Sequence, residues 1–237
     1  MEGRTPADTA FSLPEMLREL ARAGLIRPGM GTADLPTLEL YLRAWQSMRL
    51  LQTYTDLMAD KQYGPACRFF LSDLYSPQEF SRRDADVRRA VGFLHRTLPE
   101  MMIRGLLKAI ELQDLSSVLD DALLDVMTTR LGVKDSFTRT EYEKAYRMCG
   151  NYDDRERQID LIVEAGRILQ SAHRIPFTGS ALALARLPAR MIGWGELHDF
   201  LQRGYDASLP LRDYDFFLHT VASRERALLN RIYGVEP

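Results

Sequence analysis

The chain has 237 residues, enough for one large domain or two small ones with a substantial core. Hydrophobic residues make up 46% and charged residues 27%, the balance of an ordinary globular protein. A net charge of −2 gives no reason to expect nucleic acid or a membrane as partner. The basic residues are 27 Arg and only 4 Lys, a bias that fits a GC-rich bacterial genome. The two cysteines, Cys67 and Cys149, are far apart and in no CxxC pattern. They read as buried free thiols of a reducing cytoplasm, although one disulfide stays open. No stretch reaches about 18 successive apolar residues, so no membrane span is expected. The N-terminal MEGRTPADTAF has no apolar run and is not a signal peptide. Residues 1–11 read as a flexible lead, and 12–237 as a single helical domain.

Ser12 and Glu15 have capping-box spacing and open a short helix to Ala23. Asp34 caps a long helix over about 36–61, where Leu38, Leu42, Trp45, Met48 and Leu51 recur at helical spacing. Gly64 and Pro65 break it, and an apolar helix follows over 65–74. Ser76 with Glu79, then Ser81 with Asp84, repeat the capping spacing before a helix over 82–96. Pro99 opens a central helix over 98–131, with a weaker pattern at 113–117. Thr138 and Glu141 cap the next helix, to Cys149. Asp153 to Glu156 open another, to Ala172. Residues 175–187 are rich in small side chains, and Pro188 starts a further segment. Helices over 196–202 and 212–233 complete the chain. No run alternates as a strand would. The fold class is all-α: a multi-helix bundle of about eight to ten helices without a sheet.

The stretch from Cys67 to Met102 gathers the most unusual chemistry. Asp73, Tyr75, Arg82, Arg83, Asp84 and His95 are the candidate ligand- or partner-binding residues. A guanidinium fork there suits a ligand phosphate or carboxylate. It suits equally an ion-pair network pinning short helices together. No catalytic residue, metal site or cofactor is assigned. Neither a G-x-S-x-G elbow, a Gly-rich phosphate loop nor an HExxH pair occurs. His198 and Asp199 form a His-Asp dipeptide 25 residues after His173, a pattern similar to the all-helical, metal-dependent HD phosphohydrolases. Asp213 and Asp215 follow sooner than that family's last Asp does.

The residues Phe69, Phe70, Asp73, Leu74, Tyr75, Pro77, Phe80, Arg83, Asp84 and Asp86 form an FFxxDLYxPxxFxxRDxD stretch. It resembles a signature of an uncharacterised bacterial all-helical family. The endings HDFLQRGYDA and FFLHTVASRERALLNRIYG are similar to that family's. The resemblance implies a helical bacterial protein and carries no activity. The expected function is a soluble binding or protein-interaction protein. The alternatives are a small-molecule protein or enzyme holding an anionic ligand at 73–89 and, more remotely, the HD phosphohydrolase. The last helix either completes the core or forms a homodimer seam.

Overall fold

The computed structural model describes residues 11–25, 36–74, 100–191, 193 and 195–235. The side chains of Asp73, Leu74, Met102 and Leu197 are outside that description. All regular structure among the described residues is helical, in ten α-helices with no strand. They are α1 (Leu13–Arg22), α2 (Thr37–Thr53), α3 (Thr55–Ala59), α4 (Gly64–Phe69), α5 (Glu100–Asp125), α6 (Arg139–Cys149), α7 (Tyr152–His173), α8 (Thr178–Met191), α9 (Gly195–Ser208) and α10 (Tyr214–Tyr233). The expected all-α architecture is thus what the chain adopts.

Short polar signals set the helix starts. The Glu15 carboxylate accepts from the Ser12 N–H (3.0 Å) and hydroxyl (2.8 Å). Glu141 does the same for Thr138 (2.7 and 2.9 Å), whose Oγ1 accepts from the Glu141 N–H at 3.2 Å. Each box satisfies amides that the first turn leaves without helical partners. Gly150 ends α6 in the left-handed region (φ 66°), where a β-carbon is costly.

Elsewhere tertiary contacts move the boundaries. The helix expected over 36–61 breaks at Tyr54 (φ −113°, ψ 18°). There Arg224 Nη1 donates to the Thr53 carbonyl at 2.8 Å, and the Thr53 hydroxyl donates back to the Arg49 carbonyl. The central helix runs unbroken through 113–117 and closes in a π-turn, Val126–Arg130. Thr128 and Thr129 hydroxyls bond back to Leu124 and Asp125 carbonyls there. Pro188 starts nothing: it lies inside α8, on the exposed side, where its lack of an N–H leaves the Leu184 carbonyl without a helical donor.

α5 and α7 form the most extensive pair, and α10 lies along α7. Glycines set both approaches. A β-carbon on Gly105 would sit 3.1 Å from Ile168, and one on Gly166 would overlap the buried Leu218 side chain. The main core joins α1, α2, α4, α5, α6, α7 and α10 through side chains such as Met16, Leu42, Leu123, Leu161 and Leu218. Each fully buried side chain of this kind contributes about 1.5–3 kcal/mol. A smaller cluster of Ile103, Leu106, Ala172 and Leu182 fastens α8 to α5 and α7. The last helix therefore completes the core, with Phe217, Leu218, Val221 and Leu229 buried. No described helix is long and apolar enough to cross a membrane. Both cysteines are free thiols.

Candidate functional site

Of the residues expected to form a site, Tyr75, Arg82, Arg83, Asp84 and His95 lie outside the described residues. Asp73 sits in the π-turn Phe70–Leu74 that continues α4, with its side chain outside the description. Two other places combine unusual chemistry.

The first is a polar cavity of about 80 Å³ walled by α2, α5, α6, α7 and α10. Glu225 is buried on α10 at a position that α10's apolar stripe would otherwise fill, one turn from both Val221 and Leu229. Its carboxylate accepts both arms of the Arg49 fork (3.1 and 2.9 Å) and the Tyr54 hydroxyl (2.8 Å). That geometry matches an Arg fork to a carboxylate. Arg155, buried on α7, donates to the Leu119 carbonyl (3.2 Å) and to Gln158 Oε1 (3.3 Å). Its guanidinium lies 4.5 Å from the Tyr146 ring centroid. Gln158 passes the chain on to Ser116 Oγ at 2.7 Å. On the α2 side, Gln46 Nε2 donates to Asp120 Oδ1 at 2.9 Å. Burial raises the Asp120 carboxyl above its ordinary range, partly offset by Arg155. It also pushes the Tyr142 phenol up to about 12.

The sequence carries a signal for this cavity that a motif scan passes over. Gln46, Arg155 and Glu225 are polar residues at core-facing positions of otherwise apolar stripes. Polar groups reach such positions only with partners.

The second place is α8. Its inner side buries Thr178, Leu182 and Ala189, and α9 covers it. Its outer side exposes Leu184 (79%), Leu187 (69%) and Met191 (80%) in a row, with Phe177 (83%) just ahead of the helix. Those intervals of three and four place the helical residues on one face. Phe177 also has φ 65°, a conformation that disfavours a bulky side chain. A helix apolar on both sides is ordinarily a buried one, and large side chains exposed together mark an interaction surface. The segment TGSALALARLPARM contains no acidic residue, and Arg186 and Arg190 are exposed beside the stripe. Arg190 approaches Asp199 of α9 at 3.7 Å.

The histidines do other work. His173 Nε2 bonds Ser208 Oγ at 2.7 Å, and its ring centroid lies 4.3 Å from that of Tyr205. His198 is buried with Nε2 2.7 Å from the Leu182 carbonyl, fixing α9 to α8, and its Nδ1 is 3.5 Å from Asp199 Oδ1. Among the described residues no three His, Cys, Asp or Glu side chains gather as a metal-holding group. Burial pushes the Cys67 thiol up to about 12, which makes it inert rather than nucleophilic.

No curated protein and no solved structure matches the chain. A family model described as a domain of unknown function (DUF8198) matches residues 32–237. The chain belongs to the DUF8198 family.

Proposed function

We propose that this is a cytoplasmic bacterial protein-interaction protein, a single helical domain whose α8 face docks an acidic amphipathic segment of a protein partner. The observation that carries this reading is the exposed row Leu184, Leu187 and Met191 on a helix whose other side is already buried. Charge selects the occupant. Arg186 and Arg190 line one side of the row, Arg190 lying 3.7 Å from Asp199 of α9, and no acid lies on α8 itself, so glutamates on the matching side of the partner's apolar row would pair with them. A partner helix carrying apolar residues at i, i+3 and i+7 matches the row's own spacing. A second copy of α8 would set arginine against arginine. An interfacial membrane helix needs a charged face opposite the apolar one, and on α8 that side is buried against α9. The two free thiols support the cytoplasmic placement.

The test is fluorescence anisotropy with labelled helical peptides bearing leucine at i, i+3 and i+7, flanked by Glu or by Lys. The Glu-flanked peptide binds saturably and weakens with salt, and Leu187→Asp removes the binding. Equal binding of the Lys-flanked peptide, or binding that survives Leu187→Asp, contradicts the reading. So does a dimer in light scattering that Leu187→Asp dissolves, which makes a second copy the occupant. Binding of anionic phosphatidylserine vesicles in place of the peptide contradicts it as well.

A further inference from the structure

The polar cavity carries a second reading, independent of α8. Its charged residues are largely matched within the protein. Arg43 pairs with Glu39 at 2.5 Å and Arg49 with Glu225 at 2.9 Å. Arg155 is engaged by a backbone carbonyl, an amide oxygen and a tyrosine face. Asp120 differs: its carboxylate lines the cavity, accepts one hydrogen bond from the neutral Gln46 amide, and forms no ion pair among the described residues. Asp121 beside it is exposed at the same opening, as is Ser117. The opening therefore has a surplus of negative charge, surrounded by hydroxyl and amide oxygens that accept hydrogen bonds. Arg155 and Arg43 offset part of the cost of the half-buried Asp120 carboxylate, but four acids (Glu39, Asp120, Asp121 and Glu225) face three arginines (Arg43, Arg49 and Arg155) in the lining, and a bound cation would balance the remaining charge. At roughly 10–15 Å³ per water site, the cavity has room for a handful of non-hydrogen atoms.

We propose that the cavity is a binding site for a small organic cation, whose ammonium or guanidinium group pairs with Asp120 and hydrogen-bonds the neutral oxygens around it. The Arg49–Glu225 pair is part of the lining, and the exposed Asp121 draws the cation in. A free anion is disfavoured because it would meet Asp120 and Asp121 while the arginines stay engaged.

Isothermal titration calorimetry on the full chain tests this with ethylammonium, ethanolamine and methylguanidinium chlorides. Sodium acetate, sodium phosphate and glycerol serve as controls at matched ionic strength. At least one cation binds with a stoichiometry of one, and Asp120→Asn weakens it at least tenfold. Asparagine retains an acceptor for Gln46, so circular dichroism and the melting temperature show whether that variant is folded. Should it not fold, Ser117→Trp at the rim serves instead and blocks entry with the same loss. Three results overturn the proposal: no saturable heat with any of the cations, cation binding unchanged in the folded variant, or saturable binding of acetate or phosphate instead. The Leu187→Asp variant binds the cation as the wild type does, so failure here and failure at α8 are read separately.

Discussion

The walls of the polar cavity and the outer face of α8 are opposite departures from a simple amphipathic helix. At the cavity, α2, α7 and α10 place polar side chains where apolar ones would ordinarily pack, and nearly all of them find partners within the chain. At α8 the departure is reversed: apolar side chains stand where polar ones ordinarily would, and no described residue covers them. The first arrangement is closed, since removing one member leaves another stranded. The second is open, since no described residue covers it. Mutations should therefore act through stability at the cavity and through association at α8.

The largest effect is expected at Glu225. Glu225→Ala removes the carboxylate that pairs with the half-buried Arg49 and the nearer acceptor of the Tyr54 hydroxyl. Loss of one partner from a buried pair costs about 3–5 kcal/mol, measurable by urea denaturation. A loss under about 1 kcal/mol would mean that the pair is hydrated, and the contrast with α8 would fall. Cys67 gives a second, sharper test of the closed core. With its thiol pushed up to about 12 by burial, it should resist Ellman's reagent until the chain unfolds. Fast labelling of both cysteines in native buffer would contradict the packing.

A smaller effect is expected at Asp56, whose fork contact with Arg224 (2.7 and 2.6 Å) holds its carboxyl down to about 2. A depressed carboxyl stabilises the fold above its unfolded value of 3.8. That contribution is lost as pH falls through the window from about 4 to about 2. Asp56 is exposed, so Asp56→Asn, which leaves the Arg224 bond to the Thr53 carbonyl in place, should lower stability only slightly at neutral pH and flatten the acid slope in that window. The smallest stability effect belongs to Leu187→Asp, within about 0.5 kcal/mol of wild type as for other surface changes. A large loss would show that the α8 face packs against the chain itself.

Much of the helical layout is legible in the sequence because its causes are local. Ser12 with Glu15, and Thr138 with Glu141, cap the helices that their spacing announces. The break at Tyr54 is not legible, because it depends on Arg224, which lies far along the chain. Nor does Pro188 start a new segment: it sits on the exposed side of α8, inside the helix. The site was harder to read. Density of Arg, Asp and Tyr drew attention to 73–95, whereas the described polar cluster is assembled from single residues on separate helices. Its sequence trace is one misplaced polar residue per stripe, such as Glu225 between Val221 and Leu229. The α8 face was visible only as a small-residue run, because a sequence does not say which side of a doubly apolar helix will be covered.

The most direct test is hydrogen–deuterium exchange of the full chain with and without the Glu-flanked amphipathic peptide. Docking on α8 predicts slowed exchange confined to residues 177–191 and the adjoining turn of α9, absent in Leu187→Asp. Slowing elsewhere with α8 unchanged, or no slowing at peptide concentrations that saturate the anisotropy signal, would contradict it.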